Sequence, residues 1–152
     1  MTEIPNTKLN ILLVEDDSDD ILFFKEAVEK LGIVNELSIA TGCVELFSEL
    51  HNNKIFDLIF LDINLPIMDG RQCLKEIKAN EKYKEVPIII FTGSNAQSDV
   101  DDVYENGAHY HIVKPYAHIN YIASLKSVLE LNWKEKQPRP PKENFVINLT
   151  FN

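Results

Sequence analysis

Short apolar runs alternate along the chain with longer segments in which apolar residues recur at helical spacing. Apolar runs of about four to seven residues are typical of strands buried on both faces of a sheet, and helical connections join such strands in parallel. The pattern therefore predicts five strand–helix units. The strands are expected near Leu9–Val14, Glu36–Ala40, Asp57–Asp62, Val86–Phe91 and Tyr110–Val113. The helices are expected near Ser18–Leu31, Val44–Asn52, Arg71–Asn80, Gln97–Asn106 and His118–Leu131.

Glycine and proline residues lie where these units should begin and end. Gly32 follows the first predicted helix, Gly107 follows the fourth, and Pro87 falls at the start of a strand, where a missing N–H is tolerated. Right-handed crossovers then place helices on both faces of the sheet. The expected fold class is α/β, a doubly wound five-stranded parallel sheet with the flavodoxin-like order 2-1-3-4-5, in which ligands bind beyond the carboxyl ends of the strands.

The chain has 152 residues, of which 45% are hydrophobic, and this suffices for one well-buried domain but not easily for two. After Leu131 the composition becomes charged and proline-rich, which prevents a long helix. We expect one domain over residues 1–135 and a proline-rich C-terminal tail over residues 136–152. Apolar and polar residues alternate from Phe145 to Phe151. The tail therefore either adds a short strand to a sheet edge, in its own or another subunit, or has no fixed structure.

The composition argues against several functional classes. A formal net charge of -9 and a pI near 4.9 leave few cationic contacts for phosphates, so direct nucleic-acid binding is not expected. No stretch approaches the roughly 20 uncharged apolar residues of a membrane span, and the polar N-terminus lacks the apolar region of a signal peptide. We therefore expect no membrane partner and a cytoplasmic location.

The two cysteines, Cys43 and Cys73, fall in segments that read as different helices rather than in a close pair. A disulfide framework or a zinc site is therefore not expected. We interpret both residues as small apolar side chains of the core.

Charged side chains follow three of the predicted strands directly. Glu15 and Asp16 come after the first strand, Asp62 ends the third, and Lys114 follows the fifth. The carboxyl ends of parallel strands meet at one edge, and two carboxylates with several waters form the kind of site that Mg²⁺ prefers. Acidic residues that begin a helix also favour its dipole, and we interpret Asp19 and Asp20 in that simpler way.

An aspartate carboxylate can attack phosphorus and form an acyl phosphate, which gives Asp62 a second role as a nucleophile. Such a transfer requires the charge on the phosphoryl oxygens to be neutralised, by Mg²⁺ on one side and the Lys114 ammonium on another. The Lys114–Pro115 step can hold a turn, with a trans or a cis peptide bond, that aims the lysine across the edge. Thr92, which directly follows the fourth predicted strand, could donate its hydroxyl to a phosphoryl oxygen.

These residues occur in four motifs whose order and spacing resemble the response-regulator receiver domains of two-component signalling. The motifs are Val14-Glu15-Asp16-Asp17, Leu61-Asp62-Ile63-Asn64-Leu65-Pro66-Ile67-Met68-Asp69-Gly70, Phe91-Thr92-Gly93-Ser94 and Val113-Lys114-Pro115. The resemblance covers about Leu9 to Leu131. It implies that Asp62 is the phosphoacceptor and that Thr92 and Lys114 contact the phosphoryl group. It also implies that Asp16 binds Mg²⁺ directly, Glu15 through water and Asn64 through its backbone carbonyl.

The same resemblance implies partners. A sensor histidine kinase would donate the phosphoryl group from a phosphohistidine, and the product would signal through altered protein–protein binding rather than through turnover of a separate substrate. The Glu15-Asp16-Asp17 order, the C-terminal extension and the lack of an output domain in this sequence are most similar to single-domain receivers that pair with phytochrome-type histidine kinases. A homodimer through the fourth helix, fifth strand and fifth helix is likewise implied by the resemblance alone.

One position departs from the family pattern. Receivers usually carry Tyr or Phe three residues before the Lys-Pro lysine, and this chain has His111 there, with Tyr110 beside it. Either His111 acts as the switch residue together with Thr92, with a ring that can change charge near neutral pH, or it is a partly exposed edge-strand residue without that role. Asn64 and Ser94 occupy the positions that set the lifetime of the phosphorylated state in such domains.

Two other classes remain as alternatives. Phosphatases of the haloacid-dehalogenase type also use a strand-end aspartate with Mg²⁺, but they need a second aspartate two residues later as a general acid. That position is Asn64 here, and an amide cannot exchange a proton in the same way. An adaptor that keeps the fold without phosphorylation is the second alternative, and the intact acidic, threonine and lysine positions argue against it.

Overall fold

The computed structural model describes residues 8–52 and 54–149. In this part of the chain a six-stranded parallel sheet has the order β2-β1-β3-β4-β5-β6. The strands are β1 Leu9–Val14, β2 Val34–Ala40, β3 Leu58–Leu61, β4 Ile88–Thr92, β5 Tyr110–Val113 and β6 Val146–Asn148. The helices are α1 Ser18–Leu31, α2 Cys43–His51, α3 Gly70–Ala79, α4 Gln97–Glu105 and α5 His118–Leu129, and a short 3-10 helix spans Lys142–Asn144.

The predicted fold class and the order of the first five strands are confirmed, but the number of strands is corrected from five to six. The boundaries differ from the predicted ones by a few residues. Asp62 lies one residue beyond β3 instead of ending it, and Thr92 is the last residue of β4 instead of following it. Among the described residues, no helix combines the length and the apolar character that crossing a membrane requires.

Helices cover both faces of the sheet, which explains why the central strands are apolar throughout. All four residues of β3 are buried, and they alternate between two cores. Leu61 packs with α2, α3 and α4 on one face, whereas Phe60 packs with α1 and α5 on the other. Burial of both faces stabilises a continuous apolar strand. The first polar side chain of this stretch is therefore displayed at the strand's carboxyl end, where Asp62 lies.

The N-terminus of α3 packs directly on the backbone that carries Asp62. Gly70 is the first residue of this helix, and a Cβ atom added there would overlap the Asp62 carbonyl oxygen. The side chain of Asp69 caps the helix by accepting from the N–H of Arg71 at 2.7 Å. A residue without a side chain is thus required for the close approach of α3 to the end of β3.

The interpretation of Cys43 and Cys73 as separate core residues is wrong, because the two sulfur atoms form a disulfide bond. Both side chains are buried, as expected, and their Cα atoms lie 5.9 Å apart. The cysteines are 30 residues apart in sequence, near the starts of α2 and α3. These helices pack on the same face of the sheet, and the sequence alone did not show that their first turns meet.

The C-terminal tail packs against the sheet of its own subunit. β6 pairs in parallel with β5, with His111 opposite Val146 and Val113 opposite Asn148. Phe145 is fully buried, and its ring centroid lies 4.9 Å from that of Tyr104 on α4. Of the alternatives for the alternating segment, a strand in the same subunit is the one observed, while Thr150 to Asn152 lie outside the described residues. The domain division at residue 135 stays a prediction.

Candidate functional site: an acidic cluster at the carboxyl edge of the sheet

The predicted strand-end residues converge on one edge of the sheet. Glu15 follows β1, Asp62 follows β3, Thr92 ends β4 and Lys114 follows β5. Glu15, Asp62 and Thr92 are buried, whereas Asp16 is exposed. The four neighbouring strand ends therefore bring together residues that lie far apart in the sequence.

Backbone hydrogen bonds fix these residues by extending the strand pairing one step beyond the strands. The N–H of Glu15 donates to the carbonyl of Ala40 at 2.9 Å, and that of Asp62 donates to Val14 at 3.1 Å. The N–H of Lys114 donates to the carbonyl of Thr92 at 2.8 Å. Because the sheet positions these backbones, little freedom remains to be lost when a ligand binds between the side chains.

The Lys114 ammonium is the centre of the cluster. Its Nζ lies 2.5 Å from Glu15 Oε1, 2.9 Å from Asp20 Oδ2 and 2.9 Å from Asp62 Oδ2. Burial favours the neutral amine, but the charges of the neighbouring carboxylates, Asp62 first, outweigh it and raise the pKa of Lys114 above its usual value. Lys114 is therefore a permanent cation at this edge. The Lys114–Pro115 peptide bond is trans, which decides between the two isomers considered for this turn.

Glu15 is held in place on both sides of its carboxylate. Its Oε2 accepts from the N–H groups of Asp16 at 3.1 Å and Asp17 at 3.3 Å, while Oε1 faces Lys114. Burial, together with the Asp62 charge, raises the pKa of Glu15 to about 7 even though Lys114 opposes the shift. The site thus contains more negative charge than its single ammonium compensates.

The excess of carboxylates fits a hard divalent cation. One carboxylate oxygen from each of Glu15, Asp16 and Asp62 lies within 4.8 Å of the others. All three are oxygen ligands, and Asp16 is exposed, so a bound ion could keep several of its waters, as Mg²⁺ prefers. A cation would also favour the charged form of Glu15, whose pKa is raised by burial and by the Asp62 charge.

Two residues of the cluster were not predicted. Asp20, interpreted from the sequence as a helix-dipole residue, is half-buried, and it contacts Lys114 through Oδ2 and accepts from Tyr121 Oη at 2.6 Å through Oδ1. Both Asp19 and Asp20 lie in the first turn of α1, as the sequence indicated, but that interpretation is incomplete for Asp20, because its carboxylate also binds Lys114 and Tyr121. Asp20 lies in the first turn of α1, which begins directly after the acidic residues at the end of β1, and that position could have identified it. Tyr121, on α5, gave no comparable sequence signal.

Asn64 connects the two strand ends next to Asp62. Its backbone N–H donates to Asp62 Oδ1 at 3.0 Å, and its side-chain amide donates to Thr92 Oγ1 at 3.3 Å. The Thr92 hydroxyl is completely buried at the end of β4. Asp62, Asn64 and Thr92 therefore form one hydrogen-bonded unit beside the cation cluster.

Comparison with known proteins assigns a family to this site. Residues 11–126 match the model of the response regulator receiver domain. The chain belongs to this receiver family. Response regulator Rcp1 of Synechocystis sp. is 34% identical over 120 residues, which span 75% of this chain and 82% of Rcp1.

Two solved structures of response regulators are similar to this receiver. The Mn(2+)-bound form of Rcp1 has a TM-score of 0.75 at 29% identity and covers 88% of this chain and 99% of its own. The phosphorylated cyanobacterial phytochrome response regulator RcpA has a TM-score of 0.77 at 28% identity, with the same coverage of both chains. Receivers are signalling proteins phosphorylated on an aspartate, and this membership favours that function over the phosphatase alternative. The roles of the individual residues stay predictions.

His111 of this receiver lies in the interior rather than at an exposed edge. Its side chain is completely buried, because β6 covers the outer edge of β5. The ring Nε2 lies 2.9 Å from the carbonyl oxygen of Ser94, so Nε2 carries the proton and donates to it. Burial lowers the pKa of His111, which favours the neutral ring at neutral pH. The interpretation as a partly exposed histidine is therefore wrong, and the idea that its charge changes near neutral pH is not supported.

The loop after Thr92 is tied to two helices. Ser94 Oγ donates to Asp99 Oδ2 on α4 at 2.6 Å, and Arg71 on α3 donates to Asp99 Oδ1 at 2.5 Å. Arg71 also binds both oxygens of Asp69, and this interaction lowers the pKa of Asp69. A displacement of the loop would therefore be felt by α3 and α4 as well as by His111.

Proposed function

We propose that this receiver accepts a phosphoryl group on Asp62 from the phosphohistidine of a sensor histidine kinase in a Mg²⁺-dependent reaction. The observation that carries the proposal is the cluster itself, in which Asp62 shares a cation-compatible group of oxygens with Glu15 and Asp16 and lies 2.9 Å from Lys114. The cyanobacterial relatives Rcp1 and RcpA, the latter a phytochrome response regulator, support a phytochrome-type kinase as the donor.

In the proposed reaction a carboxylate oxygen of Asp62 attacks phosphorus, an O–P bond forms, and the P–N bond to the kinase imidazole breaks. The imidazole leaves with the electron pair of that bond. Lys114 stays positively charged throughout and stabilises the negative charge on the phosphoryl oxygens. The Thr92 hydroxyl, which accepts from the Asn64 amide, would donate its proton to a phosphoryl oxygen.

Asp16 and Asp62 would bind Mg²⁺ directly, Glu15 would bind it through water, and Asn64 would contribute its backbone carbonyl. When bound, the cation neutralises charge on the transferring phosphoryl group. The chemistry of the donor set supports this, since all the side chains involved are carboxylates and the related Rcp1 has a Mn(2+)-bound form. The ion would also separate the carboxylates that otherwise repel one another.

We propose that Thr92 and His111 carry the phosphorylation signal. Thr92 begins the loop whose Ser94 carbonyl accepts from His111 Nε2, so a shift of Thr92 toward the phosphoryl group would pull on the His111 ring. That ring lies 6.2 Å from the ring of Phe145, the residue before β6. The output would then be a changed binding surface formed by α4, α5 and the C-terminal segment.

The phosphoacceptor role can be tested with acetyl phosphate or a phosphorylated histidine kinase as the donor. Asp62→Asn should abolish labelling, because an amide cannot form the acyl phosphate. Asp19→Asn is the matched control, since Asp19 is an exposed aspartate in the first turn of α1. Labelling of the Asp19→Asn protein should be normal. Undiminished labelling of the Asp62→Asn protein would refute the assignment.

The switch role has a separate test. His111→Leu removes both the ring and the donor to the Ser94 carbonyl. Labelling of Asp62 should persist, whereas the change that beryllofluoride with Mg²⁺ produces in the NMR signals of β6 should be lost. An unchanged response in β6 would contradict the proposed route through His111.

A homodimer through α4, β5 and α5 is also proposed, with the qualification that β6 of the same subunit covers the edge of β5. Removing residues 138–152 and measuring molecular mass before and after beryllofluoride treatment tests it. If the number of subunits derived from the mass is the same with and without residues 138–152, the segment has no part in dimerisation.

A further inference from the structure

A pocket of about 830 Å³ opens at the end of the sheet opposite the acidic cluster. Its walls come from the residues before β3, β4 and β5 and from the segment Trp133–Arg139 that follows α5. Phe56, Pro87 and Trp133 give it apolar surface. A concave site of this volume is large enough for a small organic ligand.

The lining of the pocket reverses the charge balance of the protein. The chain as a whole has 24 acidic residues and 15 lysines and arginines, but five lysines and arginines and three acidic residues line the pocket. Two of those acidic residues already have partners there. Lys134 Nζ lies 2.9 Å from Asp57 Oδ2, and Lys136 Nζ lies 3.7 Å from Glu85 Oε2.

Two of the lining cations have no carboxylate partner in the described part of the chain. Lys78 Nζ donates to the carbonyls of Lys84 at 3.1 Å and Val86 at 3.0 Å. An ammonium has three N–H donors, so one remains for a ligand. The guanidinium of Arg139 donates to the carbonyls of Ala108 and Tyr104, and its charge is likewise uncompensated by an acidic side chain.

His109 adds a third basic group to the same wall. Its Nε2 lies 3.3 Å from the carbonyl oxygen of Gln137, and its Nδ1 is buried without a hydrogen-bond partner. Burial, with the charges of Lys78 and Arg139, lowers the pKa of His109 to about 4. Burial also lowers the pKa of Lys78 to about 8, with Glu85 opposing the shift and Arg139 adding to it. His109 is therefore neutral at pH 7, and the unpaired positive charge of the cavity comes from Lys78 and Arg139.

We propose that this pocket binds a small organic anion, a carboxylate or phosphate ester with a flat apolar body. The acidic group would face Lys78 and Arg139, and the body would pack against Trp133 and Phe56. An anion there supplies the negative charge that Lys78 and Arg139 lack, and it provides an acceptor for the remaining Lys78 N–H. The apolar wall gives affinity that inorganic phosphate alone would not obtain.

The binding can be tested with 8-anilinonaphthalene-1-sulfonate, an aromatic anion whose fluorescence rises in apolar sites. Titration of the folded protein at pH 7 should give saturable binding at one site per chain. Benzoate and phenyl phosphate are the competitors that distinguish a carboxylate from a phosphate ligand, and benzyl alcohol is the neutral control. At least one of the two anions should displace the probe at concentrations at which benzyl alcohol does not.

Matched substitutions locate the site. Lys78→Met should weaken probe binding by about tenfold or more, because a charge-assisted hydrogen bond in a partly buried site is lost. Lys126→Met removes an exposed lysine of α5 that lies outside the pocket lining, and it should bind like the unmodified protein. Arg139→Gln is a second test at an exposed residue. It should also weaken probe binding, and it replaces the first test if Lys78→Met does not fold. The proposal is overturned if binding is not saturable, if benzyl alcohol competes as well as the anions, or if the pocket variants bind like Lys126→Met.

Discussion

The docking of the C-terminal segment should depend on Phe145. Its side chain is fully buried, and its carbonyl accepts from the N–H of His111 at 3.0 Å. Burying a phenylalanine removes on the order of 200 Å² from water, which is worth about 5 kcal/mol at roughly 25 cal/mol per Å². Core replacements of phenylalanine by alanine cost about 3–5 kcal/mol. We predict that Phe145→Ala lowers the free energy of unfolding by up to this amount. If the docking of the C-terminal segment contributes less than that cost, the substitution should instead detach the segment from β5.

Whether Phe145→Ala destabilises the whole fold or detaches the segment, the hydrogen bond from the His111 N–H to the Phe145 carbonyl should open more often. Exchange of the His111 amide with deuterium should therefore accelerate by about 100-fold or more, and urea unfolding measures the accompanying loss of stability. Val146→Ala is the matched control, because Val146 is the next residue and is 38% exposed. It should change stability by no more than about 0.5 kcal/mol. The reasoning fails if Phe145→Ala keeps both the stability and the slow exchange of the His111 amide.

Three further predictions concern other parts of the molecule. Gly70→Ala should destabilise the fold by about 2 kcal/mol or more in urea unfolding, because its Cβ would overlap the backbone carbonyl of the predicted phosphoacceptor, whereas a Cβ at Gly93 meets nothing within 4 Å, so Gly93→Ala should leave stability nearly unchanged. Reducing the Cys43–Cys73 bond opens a loop of 30 residues and should cost about 3–4 kcal/mol of stability, so equal melting with and without reductant would contradict it. His109, with its pKa lowered to about 4, binds protons more weakly when folded, so stability should fall as pH falls from about 6.5 toward 4. His109→Gln should reduce that loss by about 2 kcal/mol at pH 5, and parallel pH profiles of the two proteins would refute it.

The sequence predicted the acidic cluster because a simple rule connects pattern to position. A charged residue directly after a buried parallel strand must lie at the carboxyl edge, so Glu15, Asp62 and Lys114 could be placed without coordinates. The same rule placed Thr92 at this edge, although the strand was predicted to end one residue before Thr92 and in fact ends at it. The rule works because both faces of the central strands are covered, which leaves the strand end as the place where a polar side chain emerges.

The features that were missed depend on how helices pack rather than on strand order. Asp20 and Tyr121 meet at 2.6 Å because α1 and α5 lie on the same face of the sheet. The disulfide requires the starts of α2 and α3 to be adjacent, which helical periodicity does not specify. The burial of His111 has the same kind of cause, because it depends on where a segment more than 30 residues later is docked. Contacts between elements that are distant in sequence thus account for these errors.

The C-terminal segment links the two ends of the sheet. Residues Trp133–Arg139 line the basic pocket, and the same stretch of chain continues into Phe145 and β6, which cover His111. If phosphorylation shifts β6 and an anion binds against Trp133–Arg139, both events act on one element. Linkage then requires the effects to be reciprocal, so the factor by which phosphorylation changes anion affinity must equal the factor by which the anion changes the phosphorylation equilibrium. Titrating 8-anilinonaphthalene-1-sulfonate with and without beryllofluoride would measure that factor, and equal affinities would show that the two ends are independent.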